Sequence, residues 1–340
     1  MVSLKELAKH CEVSVATVSK ALNNQSDIGE ETKRRVREAA KELGYFPNAA
    51  ARALKTNRSY NIGVLFTDEA NSGLTHEYFA AVLEGFKVEA EKQGYDITFI
   101  NSHIGKRTVS YYEHCKYRNV DGVVIACVDF NNPDVVELMN GEIPVVTIDH
   151  IHEKCSSVLS DNVKGMQDLL EHIYKNGHTK IAYIHGQPNS SVTRARLTSF
   201  YKFAEENDIK IPENYILQSA YLDAKQAAAH TRTLLDLEDA PTCILYPDDT
   251  SLVGGMNEIR KRNLRVPEDI SIAGYDGAKL AKLISPRLTT IKQDTTGIGA
   301  QAAKKLIDTI EKPKTTFAEQ IIIPGELLEG KSVGSVKGNC

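Results

Sequence analysis

The chain has 340 residues, 41% hydrophobic and 25% charged, enough for two or three folded domains and far from the composition of a disordered polymer. Its formal charge of −4 argues against a chain that binds polyanion along its whole length. The average hides an asymmetry, however: residues 1–58 carry eleven Lys or Arg against seven Asp or Glu, a net of +4, and the remainder carries −8. A small basic head precedes an acidic body, the pattern expected when one domain meets polyanion and the other does something else.

Cys11, Cys115, Cys127, Cys155, Cys243 and Cys340 are scattered and never form C-x-x-C, so they read as reduced thiols of a cytoplasmic protein. The N-terminal residues lack an apolar signal segment, and no run reaches the roughly 18 apolar residues that span a bilayer. Neither export nor membrane contact is expected.

In chain order, Ser3-Leu4-Lys5-Glu6 reads as a capping box in which hydroxyl and carboxylate satisfy each other's backbone N–H groups. A first helix follows, a turn falls at 11–13, and Ser14 caps a second helix over 15–22 that buries Val18, Ala21 and Leu22. A third helix runs over about 29–43 and stops at Gly44. Two helices joined by a tight turn predict helix-turn-helix geometry, with the second helix entering the major groove. Its outer face, with the capping Ser14, presents Val15, Ala16, Thr17, Ser19, Lys20 and Asn23. Hydroxyls and Lys20 suit phosphates or base edges, and Val15 and Ala16 suit thymine methyls. Residues 48–55 then form a helix-prone stretch too short to be stable alone in water.

From residue 60 onward, strand-like runs at 62–66, 97–100, 122–127, 145–148, 181–184, 243–246 and 270–273 alternate with helical patterns at 78–93, 163–174, 193–207, 224–237 and 251–262. Continuous apolar strands between helices predict parallel sheets covered on both faces, in two similar lobes. Ligands in such sheets sit beyond the carboxyl ends of the strands, where the chain places Thr67, Asp68, Cys127, Asp129, Asp149, Asp248, Asp249, Asp276, Gln293 and Asp294. Several carboxylates and amides with few cations suit a neutral polyhydroxylated ligand and disfavour phosphate. Tyr78, Tyr221 and Tyr246 can supply aromatic faces for a sugar ring in a chain without Trp.

The head resembles the LacI/GalR family of bacterial transcriptional regulators in Val13–Asn23, Gly44–Asn48, Ala51-Arg52, Leu54 and Ile62-Gly63-Val64. The body resembles the family's effector domain in Ile143–Asp149, Asp161-Asn162, Gly177–Ile184, Arg196-Leu197, Pro267–Asp276 and Leu288–Asp294. The implied fold is α/β: an all-α helix-turn-helix head plus a type I periplasmic-binding-protein-like body of two doubly wound parallel-sheet lobes. The implied domains are a helix-turn-helix at 1–46, a hinge helix and linker at 47–59, an N-lobe at 60–160 plus 291–319, a C-lobe at 161–290 plus 320–330, and a flexible tail at 331–340. The resemblance also implies DNA contacts from Asn48 and Arg52 and a minor-groove wedge at Leu54 that kinks the duplex. In the cleft it implies effector contacts from Asp149, Arg196, Asp248, Asp276 and Gln293, with Tyr221 stacking, while Asp161 is expected to cap a helix. Lys20 stands where Arg is common, exchanging a fork for a point charge; Gly29 replaces a usual hydroxyl cap, and Ser199 a usual Gly.

The expected protein is a homodimeric repressor of carbohydrate-utilisation genes, gated by a small sugar-like effector on a pseudo-palindromic double-stranded operator. A nucleobase, a nucleoside or a protein co-repressor is the alternative effector. A sugar-binding transport protein accounts for the body alone, and a Rossmann-type enzyme for the alternation alone. Gly297–Ala302 imitates a dinucleotide fingerprint without the βαβ unit that should follow it. His76–Ala80 fails as H-E-x-x-H, and His150, His152 and Cys155 lack a fourth metal ligand. No enzyme activity, cofactor or metal is expected, and the tail has no leucine heptad to carry assembly beyond a dimer.

Overall fold

The computed structural model describes residues 2–46, 58–67 and 73–336. Contacts divide the chain into two units, residues 1–59 and 60–340.

In the first unit α1 (Leu4–His10), α2 (Val15–Leu22) and α3 (Glu30–Glu42) enclose Leu7, Val18, Ala21 and Val36, all fully buried. The capping box forms: Ser3 Oγ accepts from Glu6 N at 3.2 Å and the Glu6 carboxylate accepts from Ser3 N at 2.7 Å. Ser14 Oγ accepts from Thr17 N at 3.0 Å, which fixes where α2 begins. Gly29 starts α3 without a side-chain cap, compensated by Glu30 and Glu31 against the positive end of the helix dipole.

The second unit opens with β1 (Asn61–Phe66), α4 (Glu77–Lys92), β2 (Asp96–Ile100), a small hairpin of β3 (His103–Ile104) and β4 (Arg107–Thr108), and α5 (Tyr111–Arg118). It continues through β5 (Gly122–Ala126), α6 (Pro133–Asn140), β6 (Val145–Ile148), β7 (Ser156–Ser160), α7 (Asn162–Lys175), β8 (Ile181–His185) and α8 (Ser191–Glu206). Then come β9 (Ile216–Gln218), α9 (Ala224–Leu235), β10 (Cys243–Leu245), α10 (Asp249–Lys261), β11 (Ser271–Ala273), α11 (Leu280–Leu283), β12 (Thr290–Lys292), α12 (Thr295–Glu311), β13 (Gln320–Ile323) and β14 (Glu326–Leu328).

Two parallel sheets result, ordered β13-β7-β6-β5-β1-β2 and β11-β10-β8-β9. Central strands such as β5, β6 and β8 are buried along their whole length, which is why they read as unbroken apolar runs. In the first sheet Val64 faces Phe99 on one side and Val124 on the other. The second sheet pairs Ile244 with Ala182 and Ile272. Helices α4 and α12 cross closely on the first sheet because Gly85 and Gly299 carry no Cβ. A methyl on Gly299 would sit 1.9 Å from Val82 O, and one on Gly85 would sit 2.3 Å from Thr296 O. The glycine run that imitates a dinucleotide fingerprint is therefore a helix-packing device.

Two expected boundaries are corrected. Residues 320–323 were expected in the C-lobe, but β13 pairs with β7, Ile321 against Val158, because Ile321 and Ile323 pack against the first sheet's core. Residues 331–336 were expected to be flexible. Instead Ser332 is fully buried, donating to Ile272 O at 2.7 Å and accepting from Thr289 N at 2.9 Å, and Val333 joins the second lobe's core. His178 holds the same segment through Gly334 O at 2.9 Å. Residues 337–340 lie outside the described residues.

Candidate functional site

In the head, Ser14, Val15, Ala16, Lys20 and Asn23 are exposed on α2, and Thr17 and Ser19 are half-buried, so the expected reading face is a continuous outward surface. Part of it is tied down by neighbours. Lys20 is ion-paired with Asp27, and the ammonium holds that carboxyl below its ordinary range. Asn23 Nδ2 donates to Ser19 O at 2.7 Å, and the Ser14 and Thr17 hydroxyls lie 2.8 Å apart. Asn48, Arg52, Leu54 and Asp68 lie outside the described residues.

In the second unit the two sheets point their carboxyl ends at a shared cleft of about 400 Å³, large enough for a small ligand. Asp149 follows β6, Asp276 follows β11, Tyr221 and Leu222 follow β9, Arg196 projects from α8, and Gln293 follows β12; all six line the cleft. Four lining residues hold left-handed backbone: Cys127 (φ +52°), Asp149 (+56°), Leu222 (+60°) and Asp276 (+93°). Such conformations cost about 1–3 kcal/mol each and persist where the surrounding fold over-determines them, characteristically at ligand sites.

The polar groups are organised before any ligand arrives. Arg196, almost wholly buried, donates to Asn162 Oδ1 at 2.8 Å and Pro247 O at 2.9 Å. It also lies 3.5 Å over the Tyr275 ring and 3.8 Å from Asp276. Ser199 accommodates the departure from Gly by donating to Val163 O at 3.0 Å, locking α8 to α7 beneath Arg196. Gln293 Nε2 donates to Asp276 Oδ1 at 2.6 Å. Burial pushes Asp276 up to about 7, against the opposing pull of Arg196. Asp149 is raised by burial too, partly offset by Tyr78 OH and Ser160 N, which donate to it at 2.7 and 3.0 Å. Tyr221 OH lies 2.8 Å from Thr193 Oγ1. Its ring fits only because residue 186 is Gly, where a Cβ would come within 2.2 Å of it. Across the cleft Ser191 Oγ donates to Asp149 O at 2.6 Å, and Lys279 N to Glu77 Oε1 at 2.9 Å.

Two expected residues stand elsewhere. Asp248 caps α10, accepting from Ser251 N at 2.7 Å, Ser251 Oγ at 2.8 Å and Leu222 N at 2.8 Å. Its carboxylate is spent on shaping the Tyr221-Leu222 loop and does not line the cleft. Tyr246 is buried in the lobe's core with its hydroxyl 2.8 Å from Thr231 Oγ1, so Tyr78 and Tyr221 are the tyrosines that face the cleft. Asp161 caps α7 as expected, accepting from Lys164 N at 2.9 Å. Sequence reasoning passed over Arg194 and the Phe130–His150 pair, whose rings stack at 3.8 Å and 3° beside the cleft. No spacing signal pointed to Arg194: residues two apart on a helix lie about 200° apart, so only the fold brings Arg194 and Arg196 to one cleft. Cys155 turns away from His150 to Met139 O, and among the described residues no cluster of His, Cys, Asp and Glu is arranged to hold a metal ion. No helix among them is long and apolar enough to cross a membrane.

A helix-turn-helix head followed by a two-lobed body with an interlobe cleft defines a DNA-binding regulator with a periplasmic-binding-protein-like sensor. Residues 3–48 match the model of bacterial regulatory proteins of the lacI family, and residues 170–333 match that of the periplasmic binding protein-like domain. The HTH-type transcriptional repressor PurR of Aliivibrio salmonicida (strain LFI1238) is 32% identical over 316 residues, 92% of this chain and 93% of that protein. The probable HTH-type transcriptional repressor ExuR of Bacillus subtilis (strain 168) is 31% identical over 336 residues, 98% of each. The crystal structure of the lac repressor dimer bound to operator and the anti-inducer ONPF matches with a TM-score of 0.80 at 25% identity, over 98% of this chain and 99% of that one. The chain belongs to the LacI family of bacterial regulatory proteins.

Proposed function

We propose that this regulator binds a pseudo-palindromic operator as a homodimer and releases or grips it according to occupancy of the cleft by a small, hydroxyl-rich ring compound of the sugar class. Each head reads one half-site through Ser14, Val15, Ala16, Thr17, Ser19, Lys20 and Asn23. Residues 47–59 serve as the hinge, with Asn48 and Arg52 on the DNA and Leu54 as the wedge. The observation that carries the effector reading is the cleft itself: two carboxyls, a guanidinium and an amide (Asp149, Asp276, Arg196, Gln293) converge beside the rings of Tyr78 and Tyr221. Carboxylates accept from vicinal hydroxyls, the guanidinium and amide donate to ring and hydroxyl oxygens, and the rings cover the apolar side of a sugar.

A ligand that joins the lobes biases one interlobe arrangement, and its effect on operator affinity equals the coupling free energy, commonly 1–3 kcal/mol, about 5- to 150-fold. The test uses the full chain and a duplex selected from a random pool. Its anisotropy titration is repeated with each member of a carbohydrate and nucleoside panel, and one sugar is expected to shift the midpoint at least fivefold. Leu54→Ala should weaken the selected duplex far more than a scrambled one. A panel in which only nucleosides act would overturn the sugar reading, and equal losses on both duplexes would remove the wedge.

A further inference from the structure

Arg194 and Arg196 both line the cleft, but their situations differ. Arg196 is buried and already engages Asn162, Pro247, Tyr275 and Asp276, while its five-donor fork keeps further N–H groups for a ligand. Arg194 is exposed, its guanidinium makes one long bond to Asn189 O at 3.4 Å, and among the described residues it has no carboxylate partner. It also stands in an unfavourable place. It lies in the opening turns of the 16-residue α8, whose first turn carries no acid, so the positive end of the helix dipole repels it. Across the cleft the His150 ring, pinned in plane by Phe130, is close enough to feel that charge: burial, then His152, then Arg194 hold it below its ordinary range. The cleft lining thus includes a guanidinium without a carboxylate partner among the described residues, an imidazole and the N-terminus of α8, with Asp129 also in the lining beside Phe130. The acids are engaged elsewhere: Asp149 with Tyr78 and Ser160, Asp276 with Gln293 and Arg196, and Asp129 with the backbone of Asn131 at 2.9 Å.

We propose that the effector is a sugar acid, its hydroxyls meeting Asp149, Asp276 and Arg196 and its carboxylate seated on Arg194 at the mouth of α8. This departs from the sequence expectation of a neutral ligand and rests on the reading of the cleft as a polyol site. A planar guanidinium accepts a carboxylate through two parallel N–H···O bonds. An anion there offsets the repulsion between the Arg194 guanidinium and the positive end of the α8 dipole.

The test is calorimetric titration of the full-length protein with matched sets of probes: the common hexoses and pentoses, their uronates and aldonates, and the 6-phosphates of the hexoses. One uronate or aldonate is expected to bind at least tenfold more tightly than its neutral parent, and to lose that advantage as NaCl rises from 50 to 500 mM. Arg194→Gln should abolish the preference while retaining the weaker affinity for the neutral parent, and Arg194→Lys should restore part of it. Neutral sugars that bind as tightly as their acids, or an acid preference indifferent to Arg194→Gln, overturn this inference and leave the sugar reading standing. Preference for a phosphate ester overturns the carboxylate assignment. Failure of every probe, neutral or acidic, overturns both.

Discussion

Asp276 offers the sharpest physical test of the cleft. Its carboxyl is about four-fifths covered, accepts from Gln293, lies 3.8 Å from Arg196, and feels the charges of Asp248 and Asp149. Burial outweighs Arg196 and pushes it from 3.8 to about 7, a difference worth roughly 4 kcal/mol at 1.36 kcal/mol per pH unit. Between those values the folded protein holds a proton that the unfolded chain has released, so unfolding free energy falls as pH rises. The stabilisation is fully present below about pH 4 and is lost as pH climbs through 7; Asp149, also raised by burial, acts in the same direction. Asp276→Asn removes this dependence, and Arg196 keeps Asn162, Pro247 and the Tyr275 ring. Urea unfolding of the full chain, followed by tyrosine fluorescence at pH 5, 6, 7 and 8, gives the stability difference between variant and parent. The variant should gain on the parent by about 2–4 kcal/mol from pH 5 to 8. A flat difference, or a parent that gains on the variant with rising pH, would mean that Arg196 dominates Asp276 and the charge argument is wrong.

Three further outcomes are expected. Asp27→Asn frees Lys20 and removes a negative charge beside the reading helix. Affinity for random duplex should rise severalfold and its salt dependence steepen toward one additional phosphate contact, as read by anisotropy across 50–200 mM salt; an unchanged slope would exclude Lys20 from the backbone. Gly299→Ala places a methyl 1.9 Å from Val82 O and should destabilise the body by about 1–3 kcal/mol, lowering its melting temperature without altering the isolated head transition. Truncation after Gly330 removes the buried Ser332 and Val333 and should destabilise the body by about 2–4 kcal/mol, whereas a flexible tail would leave calorimetry unchanged.

Much of this molecule is written locally. The helices of the head follow from Ser3 and Ser14, whose hydroxyls satisfy N–H groups a few residues away, so neighbouring residues alone mark those boundaries. The buried strands are legible because both faces are covered and most positions are apolar, with hydrogen-bonded exceptions such as Thr147 and His185. Asp149 and Asp276 are legible because a ligand in a parallel sheet meets the residues after the strands. What sequence spacing does not encode is which of several such residues still has an open valence. Asp248 and Tyr246 have the right types at strand ends, but a cap and a core hydroxyl claim them. Arg194 sits two residues from Arg196, yet it is exposed and has no carboxylate partner among the described residues, whereas Arg196 is buried and held by Asn162, Pro247 and the Tyr275 ring. The destination of β13, whose residues pair with β7 residues 163 positions earlier in the chain, and the burial of Ser332 are likewise settled only when distant segments compete for the same place in the fold. Short-range hydrogen bonding and hydrophobic period fix the elements and their class. Which cleft side chains are already engaged and which remain open follows from long-range pairing and exists only in the assembled fold.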